Sequence, residues 1–295
     1  MRAGVPTINV LGVPVAALTE RQAIDEVSRL LAEPRPRTLV YVNAHSLNLA
    51  RSHPRYRACL TDADLVLNDG SGLSLAARVR GLRFPANLNG TDFTPEVLRV
   101  AARDGLGVYL LGGRDGVAAE AARRLPAVVP GLRVVGHHHG YVDDGQGDEL
   151  AERIRQSGAD IVLVAMGNPQ QELWLAEHLP ATGAALGVAV GAYFDFVAER
   201  VPRAPRWMRN AGIEWLYRLR REPRRLFTRY VVGNPLFMAR VLVDRVAPTN
   251  RYATGHVRSR DLLRHQLSVV LPGPRRERLD RSAAAPGARR VGRRP

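Results

Sequence analysis

The segment NDGSG at 68–72 places a carboxylate, Asp69, and two glycines directly after an apolar run. At the carboxyl end of a buried strand such a carboxylate can take a proton from a substrate hydroxyl, and its competing reading is a helix N-cap. Ser71 lacks the GxSxG elbow of an activated nucleophile. A second polar cluster, NGTD at 89–92, precedes an apolar helix. Asn89 and Asp92 suit hydrogen bonds to sugar hydroxyls or an amide, while Thr91 or Asp92 as a plain helix cap is the alternative.

The run GVYLLGGRDG sets Gly112, Gly113 and Gly116 at a strand-to-helix turn, where backbone N–H groups and a helix N-terminus can hold a diphosphate. The spacing is GGxxG rather than GxGxxG, and His137 rather than an acid ends the next strand, which disfavours a dinucleotide. GNPQQE at 167–172 enters another helix, with Gln171 and Glu172 projecting at the sheet edge to read a uracil or a ribose; helix-start glutamate for dipole reasons is the bland reading. His137, His138 and His139 are consecutive, so they alternate in direction and cannot converge like an i, i+4 pair; a solvated loop is expected and no metal.

These clusters need strands to present them. Near-continuous apolar runs at 38–43, 64–68, 107–111, 132–136, 160–165 and 185–190 read as strands covered on both faces. Helical patterns fall between them: Thr19 with Gln22 forms a capping box for a helix to about Leu31, Asp115 and Asp148 open two more, and Pro169 fits the first turn of a fourth running through Trp174. The alternation implies an α/β fold, a Rossmann-like, mostly parallel sheet flanked by helices, over residues 1–200. A helical, arginine-rich appendage is expected over 201–245 and a basic, disordered tail over 246–295.

Composition narrows the chemistry. All 43 basic residues are arginine, so P-loop and Schiff-base lysines are excluded. The single cysteine, Cys59, excludes a disulfide framework. The net charge of +15 is concentrated beyond residue 198, since 19 arginines meet 21 acidic residues before that point. In the appendage Trp207, Trp215, Tyr217, Phe227 and Tyr230 are interleaved with arginines, which suits a membrane interface or a pyrophosphate-bearing lipid. No apolar run is long enough to span a bilayer and the first residues lack a signal-peptide layout, so a cytoplasmic chain is expected. Two other classes remain: an NAD(P)-linked Rossmann oxidoreductase using the GGxxG turn, and a basic nucleic-acid-binding module.

Taken in order, VNAHSLNLA, ADLVLNDGSGL, NGTD, VYLLGGRDGVA, ADIVLVAMGNPQQE, VGAYFDF, RAPRWMRNAGIEWLYRLRREPRRLFTRY and GNP resemble the WecG/TagA/CpsF glycosyltransferase family over about residues 8–243. The resemblance implies an inverting hexosyltransferase, independent of metal and cofactor, for cell-envelope or exopolysaccharide biosynthesis. It would move an N-acetylmannosamine- or uronic-acid-type sugar from a UDP-sugar donor to a polyprenyl-diphosphate-linked saccharide acceptor. It further implies Asp69 as general base, Asn43, Asn89 and Asp92 as sugar or acceptor contacts, and Gly112, Gly113, Gln171 and Glu172 as the lining of the UDP pocket. Arg218, Arg225 and Arg229 would close over the site and stabilise the departing diphosphate. Placement would be peripheral, on the inner face of the cell membrane, with the arginine-rich C-terminus on anionic lipid and no nucleic acid. A homo-oligomer is left open. Two positions depart from the family pattern: Tyr41 where threonine is usual, and Gln170 where lysine is usual.

Overall fold

The computed structural model of the chain describes residues 4–142, 145–205, 207–208 and 212–246. The side chain of Arg225 and the expected basic tail from 247 onward lie outside the described residues.

Six parallel strands form one sheet: β3 (Arg37–Val42), β4 (Leu65–Asn68), β5 (Gly107–Gly112), β6 (Arg133–His138), β7 (Ile161–Ala165) and β8 (Leu186–Ala189), in the order β4-β3-β8-β7-β5-β6. All six expected strands are present, within two residues at each end. The central strands are buried at every position because alternate side chains enter two separate cores. Leu39, Leu65, Leu110, Leu163 and Val188 join one core with the helices α1 (Glu20–Leu31), α5 (Gly90–Arg103) and α6 (Val117–Val128). Val40, Val66, Leu111, Val164 and Ala189 join the other, with α2 (Ala44–Ser52), α3 (Pro54–Asp62), α4 (Ser71–Val79), α7 (Gly147–Ser157) and α8 (Gln170–Thr182). A strand buried on both faces therefore reads as an unbroken apolar run.

Two aspartates set the strand starts. Asp64 Oδ2 accepts the amide of Thr38 at 2.9 Å, and Asp160 Oδ2 accepts that of Gly107 at 2.7 Å. Buried Arg37 donates to Asp64 Oδ1 at 2.7 Å and to Glu33, so the first carboxylate is held in turn. Side-chain acceptors at the strand starts satisfy amides that the ladder itself leaves over.

The sequence reading missed a hairpin, β1 (Thr7–Val10) with β2 (Val13–Ala16). Its two-residue turn is Leu11-Gly12 with φ of 52° and 83°. Leucine at positive φ is not the Asn-Gly or Asp-Gly signal that marks such turns. The helix expected from Asp115 starts at Val117 behind left-handed Gly116, and the one expected from Asp148 starts at Gly147. The helix after Pro169 continues to Thr182, well past Trp174. Beyond the sheet come α9 (Tyr193–Val197), α10 (Glu214–Arg221), α11 (Pro223–Phe227), a π-helical turn (Thr228–Val232) and α12 (Gly233–Val246). Phe237 and Val241 of α12 enter the second core, and Asn48 of α2 bonds both the Gly233 carbonyl and the Arg240 guanidinium.

At the end of β5, Gly112 has φ of 141°, and a Cβ there would lie 2.5 Å from the Ala165 backbone. Gly116 has φ of 78° but open space around it. Gly112→Ala should therefore cost about 2 kcal/mol or more, from positive-φ strain and a backbone clash together, whereas Gly116→Ala carries only the strain of about 1 kcal/mol. Urea unfolding of the two variants beside wild type measures the difference; equal losses would refute the close-approach argument.

Candidate active site

Because the six strands are parallel, their carboxyl ends share one edge. From β5 the chain moves outward to β6, while from β7 it moves the other way to β8. The ends of β5 and β7 thus part at a topological switch point, where open α/β sheets bind ligands. Gly112 and Gly113 lie on one side of this crevice, with the Gly113 amide bonded to the Ala165 carbonyl at 2.9 Å and its carbonyl taking the Gly140 amide at 2.8 Å. Gly167 and Asn168 lie on the other side. The helices that start here, α6 and α8, have no side chain capping their N-termini, and neither has α4 behind Asp69. By contrast α1, α2 and α5 are capped by Thr19, Asn43 and Asn89. Uncapped N–H groups at a sheet edge favour an anion.

Asp69 follows β4 and is half-buried. It is not the cap of α4, since that position is Gly70, with φ of 94°. Asn43, following β3, uses both ends of its amide: Oδ1 accepts the amides of His45 and Ser46 at 3.1 Å each, and Nδ2 donates to Asp69 Oδ2 at 3.1 Å. The Ser46 hydroxyl in turn receives the Asn43 amide at 2.7 Å. The cap of α2 thereby aims a donor at the carboxylate and fixes its rotamer.

Asn89, rather than Thr91 or Asp92, caps α5: Oδ1 accepts the Asp92 amide at 3.0 Å and Nδ2 donates to Asp92 Oδ2 at 2.9 Å. The other Asp92 oxygen takes Arg203 at 2.8 Å. Arg203 and Arg218 both lie over the Phe196 ring, 5.9 and 5.4 Å from its centre. Glu214 is within electrostatic reach of Arg203, Arg218, Asp92 and Asp69; burial raises its pKa and the two arginines oppose the rise. Ser71 donates to the Gly212 carbonyl at 3.0 Å, which ties the segment ahead of α10 to the Asp69 loop. Arg229 lies near His45, whose pKa burial and that arginine both lower. Arg203 Nε and Nη2, Arg218 Nε and Arg229 Nε are buried and have no protein acceptor. Arg203 belongs to the arginine-rich segment expected to meet an anion, and Glu214 and Phe196 fall within the segments EWLYRL and VGAYFDF, but neither of these two was given a role in the site from the sequence.

The expectation that Gln171 and Glu172 project from the edge is corrected: they are 2% and 1% exposed. Glu172 Oε1 accepts Asn168 at 2.6 Å and Gln171 at 2.9 Å, and Oε2 has no partner. Burial pushes its carboxyl up to about 7, against the lowering effect of those hydrogen bonds. The physical reason for the inward turn is the position of both residues on the face of α8 that carries Trp174 and Leu175 into the second core. Tyr41 is buried with its hydroxyl 3.3 Å from Thr94 Oγ1 and its ring against Gly90, so it supports the Asn89 loop from beneath. His138 Nδ1 bonds the His139 carbonyl at 2.9 Å, and among the described residues no three His, Cys, Asp or Glu side chains gather as a metal site would require.

A parallel sheet covered by helices on both faces, with its strand order reversing between β5 and β7 and a carboxylate held by Asn43 at the same sheet edge, defines an α/β protein of the doubly wound class. The chain belongs to the WecG/TagA/CpsF glycosyltransferase family, whose model, described as "Glycosyl transferase WecG/TagA/CpsF family", matches residues 8–251. It is 32% identical over 216 residues to the N-acetylglucosaminyldiphosphoundecaprenol N-acetyl-beta-D-mannosaminyltransferase of Bacillus spizizenii, covering 73% of this chain and 82% of that protein. The protein is thus a glycosyltransferase with an α/β fold.

Because the Glu172 carboxyl holds its proton more tightly folded than unfolded, this group costs stability as pH rises from about 4.5 to about 7, and the cost is complete above 7. The full shift corresponds to about 3 kcal/mol. Glu172→Gln should gain in melting temperature relative to wild type steadily across that window and then level off; a difference that does not change with pH would show that the carboxyl titrates normally.

Proposed function

We propose that this enzyme transfers an N-acetylmannosamine- or uronic-acid-type sugar from a UDP-sugar to a polyprenyl-diphosphate-linked saccharide, with inversion and without a metal. The observation that carries the reading is the Asn43–Asp69 pair. One carboxylate oxygen is held by the amide, and the carboxylate lies within electrostatic reach of Glu214, which Arg203 and Arg218 also approach. In the proposed step Asp69 takes the proton of the acceptor hydroxyl, and the oxygen bonds to the anomeric carbon as the bond from that carbon to the UDP oxygen breaks on the opposite face. Gly112 and Gly113 with the uncapped start of α6 would cradle the donor diphosphate, backbone against phosphate in place of the absent lysine. Arg218 and Arg229, whose buried Nε donors lack protein acceptors, would neutralise the charge that develops on the leaving diphosphate, and Arg225 is assigned to the same group. Asn89 and Asp92, tied to Arg203, would present the sugar contacts.

The B. spizizenii relative is named for an undecaprenol-linked acceptor, and a lipid-borne acceptor requires the enzyme to meet a membrane. Among the described residues no helix is long and apolar enough to cross one. Phe227, Val231, Val232 and Leu236 are exposed beside Arg220, Arg221 and Arg224, an apolar and cationic surface suited to peripheral attachment at the inner, anionic face.

Release of UDP from a panel of UDP-sugars, with and without a polyprenyl-diphosphate-linked acceptor and with EDTA present, tests the reading; acceptor-dependent release that survives EDTA is expected. Asp69→Asn should lower kcat by at least about 100-fold while UDP binding by calorimetry stays near wild type, the loss typical of a missing general base. Full activity in that variant would remove Asp69 from the mechanism. Arg218→Ala should lower kcat by about 100-fold as well, as for loss of one charge-stabilising donor.

A further inference from the structure

The mechanism above leaves one buried acid without a task. Glu172 sits at the start of α8, between the crevice and the Asn43–Asp69 pair, and an unpaired carboxyl there is costly to bury when an apolar residue would pack without that cost. Its contacts are specific. Oε1 alone receives two donors, Asn168 Nδ2 at 2.6 Å and Gln171 Nε2 at 2.9 Å. The Gln171 amide is thereby oriented with its oxygen outward, and that oxygen accepts two backbone amides from different loops, Gly167 at 3.2 Å and Gly191 at 3.0 Å. Reversing the Gln171 amide would turn an NH2 group toward two N–H donors and its oxygen toward the Glu172 acceptor, so the Glu172 bond and the two backbone amides hold it in one orientation together. Gly167 and Gly191 both have positive φ, 78° and 57°, which directs their amides inward to the same acceptor. The carboxyl ends of β7 and β8 are consequently tied through one side chain, and Glu172 Oε1 holds the amide nitrogen of that side chain.

The same residue borders the other half-site. Glu172 lies within electrostatic reach of Tyr56 and Cys59 on the helix Pro54–Asp62. The Tyr56 hydroxyl is buried beside Ser46 and Asn168 and completes no hydrogen bond of good geometry. Ser46 holds Asn43 through three hydrogen bonds, and Asn43 holds Asp69.

We propose that Glu172 is a positioning residue: it touches no substrate and clamps Asn168 and Gln171 so that the loops after β7 and β8 keep one shape at the mouth of the crevice. The inference rests on the reading of that crevice as the donor site. It assigns Gln171 an internal task, as the bridge between two loops, and leaves the backbone around Gly167 and Asn168 as the surface a nucleotide would meet.

The test uses the full chain as wild type, Glu172→Ala and Glu172→Gln. Hydrogen exchange is followed in peptides covering Gly167–Glu172 and Val190–Phe194, with peptides from the strand Arg37–Val42 as a control, and kcat and donor KM are taken from the UDP-release assay. Glu172→Ala should exchange at least about tenfold faster at the two loops and not at the control strand, with kcat/KM down by about tenfold or more from misplaced loops. Glu172→Gln keeps a carbonyl oxygen for both donors and should recover most of both losses. A general loss of packing would instead raise exchange in the control strand as well, which would overturn the proposal. So would an alanine variant with wild-type exchange at the loops, or a glutamine variant as impaired as alanine. If wild type turned over no UDP-sugar, the donor reading would fall, while the exchange comparison would still decide whether the clamp exists.

Discussion

The structure depends on the need of a doubly covered sheet to satisfy its own backbone. With helices on both faces, the N–H and C=O groups along β3, β5, β7 and β8 find their partners chiefly in neighbouring strands, so the strands must align in register. Asp64 and Asp160 contribute at the starting edge by accepting the amides of Thr38 and Gly107. The candidate site is the consequence at the opposite edge, where the loops after β3, β4, β5, β7 and β8 all emerge. Their residues come from positions as far apart in sequence as Asn43 and Gly191.

That edge divides into two chemically distinct halves. Around β5 and β7 the groups on offer are backbone amides and uncapped helix starts, with glycines at Gly112, Gly113 and Gly167 that remove side chains from the approach. Around β3 and β4 the groups are side chains, and the helix after β3 is capped by the same Asn43 that holds Asp69. Under the proposed function the first half would hold the donor's diphosphate and the second would present the proton acceptor.

The C-terminal helices supply what the sheet lacks. A chain without lysine must bring cationic charge as arginine, whose planar fork suits phosphate. Arg203 and Arg218 reach the Asp69 region from outside the sheet, steadied by the Phe196 ring and by Glu214. The same segment is anchored at its far end, where Phe237 and Val241 pack into the second core and Asn48 bonds Gly233 and Arg240. Its apolar exposed residues and its inward-pointing arginines therefore belong to one rigidly docked element with two faces.

The sequence by itself determined the six strands, because residues buried on both faces leave an unbroken apolar run, and the capping box at Thr19, because that interaction closes within four residues. It also carried the family, since the order and spacing of NDGSG, NGTD, GGRDG and GNPQQE are properties of the sequence itself. It did not reveal the Leu11-Gly12 hairpin, where tertiary packing overrides the usual turn preference. Only the tertiary structure decided that Asp69 is held by Asn43 instead of capping its own helix, that Glu172 turns inward instead of lining the crevice, and that Arg203 and Glu214 join the site. Each of those outcomes depends on which strand lies beside which and on which helix face meets the core, and such long-range pairings leave no periodic trace in the residues themselves.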